Sequence, residues 1–146
     1  MPEILAPEEA MIRMGWYCHM VPADDPCSPT GFNAHTHGFE ETWDTLNVQI
    51  VMPLPPVVVQ GVFHGVADLM KEGVRFEEDK DYDKIAKGLN VRFIKARETG
   101  RDVWRMIVPD KAGNTTMAGM AAAESHKNFI DQFTIVPEAA HNPDLN

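Results

Sequence analysis

The chain has 146 residues, 44% of them hydrophobic and 24% charged, which is the size and balance of one ordinary globular domain and excludes global disorder and fibrous repeats. Thirteen Lys and Arg against 22 Asp and Glu leave a formal net charge of −9, which repels phosphate backbones and removes nucleic acid from the expected partners. The opening MPEILAPEEAM has no basic-then-apolar layout, and the most apolar later stretch, VQIVMPLPPVVVQGVF, is broken by prolines and glutamines. A cytoplasmic protein with no membrane contact is therefore the expectation. The two cysteines, Cys18 and Cys27, are too few for a disulfide scaffold and are expected as free thiols.

Residues 6–14 place Glu8, Glu9 and Arg13 around Ala10, Met11 and Met14, which predicts a short amphipathic helix stopped at Gly15. GWYCHMV, residues 15–21, alternates as a strand, with Trp16, Cys18 and Met20 on one side and Tyr17, His19 and Val21 on the other. PADDPCSPTG, residues 22–31, is a loop by composition. Residues 32–37 and then 47–52 (NVQIVM) predict a second and a third strand.

Pro55 and Pro56 suit a helix start, and Val59, Phe63, Val66 and Met70 recur at helical spacing up to about Lys71, before Gly73. FEEDKDYDK, residues 76–84, reads as a solvated connection. NVRFIKA (90–96) and VWRMIV (103–108), joined by RETGRD, predict an antiparallel pair. A Met- and Ala-rich helix from about Thr116 to Asp131 follows the turn PDKAGN, and the last ten residues, PEAAHNPDLN, read as frayed. The expected fold is a single α+β domain over residues 1–146, with a mostly antiparallel sheet of about four or five strands and helices packed on one face.

GW near residue 15, the PADDP loop, HTHGFEE, NVQIVMPLPP running into a helix that ends in KEG with RF just after it, NVRFIKA and VPDKAG occur in this order. Together they resemble the uncharacterised bacterial family known as domain of unknown function four-two-six-two, over roughly residues 13–113. The segment from about 115 to 133 reads as a helical extension beyond that core. The resemblance implies an α+β domain and carries no activity with it. In the family's usual pattern tyrosine stands where this chain has His35, and histidine is one of the common choices at His37.

Strand alternation puts His35 and His37 on one face with Asn33. If the first two strands pair antiparallel, His19 and Tyr17 join them, and three imidazoles converge. An H-x-H pair with a third histidine and a carboxylate from Glu40 or Glu41 suits Zn or another divalent transition metal with an open position. His37 with Glu40 or Glu41, Glu41 preferred, is the looser acid–base alternative. The plain alternative is an exposed sheet face that needs polar side chains.

Gly61 and Gly65 lie four apart on the central helix, each costing up to about 1 kcal/mol against alanine, and invite close approach of a strand, a helix or a second copy of the chain. With the methionine-rich C-terminal helix they make a homo-oligomer the expectation. Cys18 falls on an apolar strand face and Cys27 in an acidic loop, so neither reads as a nucleophile. The residues support a protein-interaction or small-ligand-binding module, with a small enzyme using the histidine face, metal-dependent or not, as the alternative.

Overall fold

The computed structural model describes residues 6–137. In chain order the elements are α1 (Pro7–Met14), β1 (Tyr17–Val21), β2 (Asn33–His37), α2 (Phe39–Trp43), β3 (Val48–Ile50), α3 (Pro56–Lys71), β4 (Asp81–Ala86), β5 (Leu89–Glu98), β6 (Arg101–Ile107), α4 (Met117–Ala122) and α5 (Lys127–Asp131). The strands form one sheet in the order β1, β2, β3, β6, β5, β4. The expected frayed end lies almost wholly outside the described residues. Among the described residues no helix is long and apolar enough to cross a membrane.

The class is α+β as expected, but the sheet has six strands and is mixed. The sixth is β4, which begins inside the stretch expected to be solvated connection, residues 76–84, and runs on to Ala86. Its charged residues Asp81, Asp83 and Lys84 point outward from an edge strand, where charge discourages pairing with another chain. Inward, Ile85 is buried and Tyr82 packs edge-on against Phe76 and Phe93. The departure from antiparallel order is the pairing of β3 with β6, which is parallel. It follows from the path of the chain: β3 leads into α3, the chain returns at the far edge as β4, and the β4–β5–β6 meander brings β6 back beside β3.

The helix α3 covers one face of the sheet. Val59, Phe63, Val66 and Met70 are buried as their spacing predicts, among Ala34, Val48, Ile50, Phe93 and Met106 from the strands. Of the two glycines, Gly65 is the close approach: a Cβ there would meet the Ile85 carbonyl oxygen at 2.7 Å, whereas one on Gly61 meets nothing within 4 Å. His64 packs edge-on against Trp16 at 4.9 Å between ring centroids.

The short helix α2 was not expected. Phe39 anchors it, fully buried against Trp16 and Trp43, and the residue before it, Gly38, has φ of 102° and no room for a side chain, since a Cβ would meet Gly15 O at 2.5 Å. The single C-terminal helix of the sequence reading is two: α4 is capped by Thr116 and α5 by His126, and Glu124 between them takes a φ of 52° that no helix accommodates. Nor do the helical segments keep to one face. The segment after α5 lies on the far face, where the backbone carbonyls of Gln132 and Thr134 accept from Arg105.

Candidate metal centre

The antiparallel pairing of β1 with β2 sets Tyr17 opposite His37 and His19 opposite His35. All four side chains therefore leave the sheet on the face away from α3. His19 and His35 ring centroids are 5.1 Å apart, those of His35 and His37 4.7 Å, and Tyr17 stacks on His37 at 4.9 Å. One ring nitrogen from each of His19, His35 and His37 lies within 4.8 Å of the others, and the Nε2 atoms of His35 and His37 are 3.0 Å apart. The sequence-predicted trio is thus brought together.

This face is not the exposed surface that the plain reading assumes. His35 is 5% exposed, Asn33 1%, Gln49 0%, Glu98 3% and Arg105 0%. Burying so many polar groups is tolerable only when they are hydrogen-bonded to one another, and they form one seam across the sheet. Arg105 Nε donates to Gln49 Oε1 at 2.9 Å, and Gln49 Nε2 donates to Asn33 Oδ1 at 3.2 Å. Asn33 Nδ2 donates to Glu98 Oε2 at 2.7 Å and to Asp25 Oδ2 at 3.0 Å. Glu98 Oε1 lies 3.9 Å from His35 Nε2. One group is left over: Arg105 NH2 is buried without a hydrogen-bond partner among the described residues.

The tip of the β5–β6 hairpin supplies both charges next to the imidazoles. Glu98 and Arg101 are its last cross-strand pair, on either side of Thr99 and Gly100, whose φ values of 46° and 84° make the tight turn that right-twisted strands favour. Arg101 NH2 is 3.3 Å from His37 Nδ1. Because guanidinium only donates, His37 Nδ1 is the acceptor and its proton sits on Nε2, directed at His35 Nε2. His35 then carries its own proton on Nδ1, facing Asn33 Oδ1 at 3.4 Å. The two tautomers fit one another.

Burial drives the His35 pKa down to about 4; Glu98 opposes the shift, and His37, His19 and Arg101 add to it. His37 is also lowered, by burial first, then by Arg101 and His19. Both rings are neutral at pH 7, the form that ligates metal. Glu41, the expected acid–base partner of His37, is exposed on α2 and is the smallest of the charge effects named for that ring. Glu40 instead accepts from Asn47 Nδ2 at 3.3 Å. The carboxylate placed at the histidines is Glu98, far away in sequence. Cys27 is buried near it, its thiol pushed up to about 12 by burial and by Asp25 and Glu98, and burial also raises Cys18 on the α3 side. Neither is an activated nucleophile.

Glu98, Arg101, Gln49, Arg105 and Asp25 escaped the sequence reading. A signal was present for two of them. Gln49 between Val48 and Ile50, and Arg105 between Trp104 and Met106, are single polar residues at the alternate positions of apolar strands, which marks a second, polar face. Nothing local marks Glu98 and Arg101, whose role depends on where the hairpin tip comes to rest.

The family model described as Domain of unknown function (DUF4262) matches residues 10–110, and the chain belongs to that family. The match takes in the three histidines and the hairpin and stops before α4. No curated protein and no solved structure gives a significant match.

Proposed function

We propose that this domain is a small-ligand-binding module whose ligand is a divalent transition-metal ion held by His19, His35 and His37. The observation that carries the reading is the convergence of three imidazole nitrogens within 4.8 Å. Nitrogens bonded to one ion at about 2.0–2.1 Å lie about 2.9–3.4 Å from each other. The 3.0 Å between the Nε2 atoms of His35 and His37 already meets that spacing, and the exposed His19 has the rotamer freedom to close the rest. Imidazole donors favour Zn, Cu, Ni or Fe over Mg or Ca. Glu98, 3.9 Å from His35 Nε2, is within reach as a carboxylate ligand. Three protein nitrogens leave a coordination position open, and with it room for chemistry at the ion.

Titration of chelator-treated protein with Co(II), followed by its visible absorption, tests the reading. One equivalent should bind, with His35→Ala and His37→Ala each weakening uptake at least tenfold and the exposed His19→Ala weakening it less. Protein that takes up no Co(II), Zn(II) or Cu(II) in stoichiometric amount would leave the cluster as a structural polar seam.

A further inference from the structure

The hydrogen bond from Arg101 to His37 conflicts with metal binding by the same ring, and the conflict points to a second ligand. In the described arrangement His37 Nδ1 accepts from Arg101 NH2 at 3.3 Å, and its proton lies on Nε2. To ligate through Nε2, the neutral ring must move that proton to Nδ1, which then opposes N–H to the N–H of Arg101. To ligate through Nδ1, the metal must take the place of Arg101 directly. Either way the guanidinium is displaced by metal uptake, yet it stays tethered beside the ion by the tight turn at Thr99 and Gly100.

Charge makes the same demand. With neutral imidazoles, Glu98 and Asp25 balance Arg101 and Arg105 in the seam. A divalent ion adds two uncompensated positive charges to a set of side chains that are mostly buried, and an anion is the group that offsets them. The approach is open on the side of the edge strand β1, where His19 is exposed. The planar fork of an arginine matches a carboxylate better than it matches a single-atom ligand.

Building on the metal reading above, we propose that the metal-loaded site binds a small carboxylate, one oxygen on the ion's open position and the carboxylate held by the Arg101 guanidinium released from His37. Arg101 thus has two partners: His37 in the empty site and the ligand's carboxylate in the loaded one.

The test titrates the Co(II)-loaded full chain with glycolate and, in parallel, with azide, following the visible bands. Glycolate should saturate a single site in the unaltered chain. Arg101→Ala should keep its Co(II) affinity or gain it, because the competing hydrogen bond is gone, and should lose glycolate affinity at least tenfold. Arg101→Lys, which retains the charge without the fork, should fall between, while azide binding changes less than threefold in both. Equal glycolate midpoints in the unaltered chain and in Arg101→Ala would overturn the proposal while leaving the metal site standing. Failure of the unaltered chain to bind Co(II) would overturn the metal reading itself, and this proposal with it.

Discussion

The two faces of the sheet solve the problem of burial in opposite ways. Under α3 the strands present Ala34, Val48, Ile50, Phe93 and Met106, and stability there comes from apolar area and close packing, which are non-directional. On the far face the same strands present Asn33, His35, Gln49, Glu98 and Arg105, nearly as deeply buried but joined by directed hydrogen bonds. A packed apolar layer tolerates exchange of one aliphatic group for another, whereas each member of a polar seam leaves partners stranded when removed. A protein that needed only to stay folded would gain little from the second arrangement, since apolar residues of similar volume often serve as well. That contrast adds to the reason the three imidazoles give to look for a ligand on the far face.

The contrast can be broken from either side. Phe63→Ala empties a fully buried position under α3 and should cost about 3–5 kcal/mol, read as a shift of the urea midpoint at unchanged slope. Arg105→Ala strands Gln49 Oε1 and the carbonyls of Gln132 and Thr134 and should cost somewhat less, about 2–4 kcal/mol. Arg105→Met, which keeps volume on the far face without the donors, separates the two causes: recovery of most of the loss would mean that packing, not the seam, held the C-terminal segment down.

Acid should distinguish the faces next. The folded chain keeps His35 neutral, with its pKa lowered to about 4, so below the ordinary imidazole value near 6.5 the unfolded chain binds protons more readily than the folded one. In chelator-treated protein, stability should be full above about pH 6.5 and decline as pH falls from there to about 4. The sign follows from proton uptake on unfolding. His37, lowered in the same direction, steepens the decline. Denaturation midpoints for the unaltered chain and for His35→Gln, taken at pH 7.5 and 5, check this, because the variant should lose part of the slope while a core variant such as Phe63→Ala keeps all of it.

The smallest expected effect compares two glycines about one turn apart on α3. Gly61→Ala meets open space and should stabilise by about 0.5–1 kcal/mol through helix propensity. Gly65→Ala drives a methyl group against the Ile85 carbonyl and should destabilise, because helix and strand must move apart. Thermal midpoints shifted the same way by both substitutions would show that the glycines are not told apart by packing.

The sequence made the apolar face readable because its information is periodic. Val59, Phe63, Val66 and Met70 announce α3, and Trp16, Cys18 and Met20 announce the inner side of β1, without knowledge of any partner. The histidine trio was readable for the same reason, since two-residue spacing and one antiparallel pairing suffice to gather it. What was not readable depends on contacts distant along the chain. The parallel pairing of β3 with β6 depends on where the chain returns after α3, and the charged partners of Asn33 and His37 come from a hairpin tip more than 60 residues further on. In β4 the charge density of residues 76–84 outweighs Tyr82 and Ile85, whose three-residue spacing breaks strand alternation at a register shift, so the edge strand is hidden in the sequence.

The parallel junction has a mechanical meaning. The sheet consists of two three-stranded meanders, β1–β2–β3 and β6–β5–β4, and the ladder between them is only two residue pairs long, Val48 with Trp104 and Gln49 with Arg105. It is as short as the ladder between β2 and β3, and amide hydrogens flanking it exchange ahead of those in the seven-pair β5–β6 hairpin. The three histidines belong to one meander, Glu98 and Arg101 to the other. A ligand gripped from both sides therefore acts as a rivet across the joint, slowing exchange at Trp104, whose N–H donates to the Asn47 carbonyl across it, although the ligand does not touch that residue.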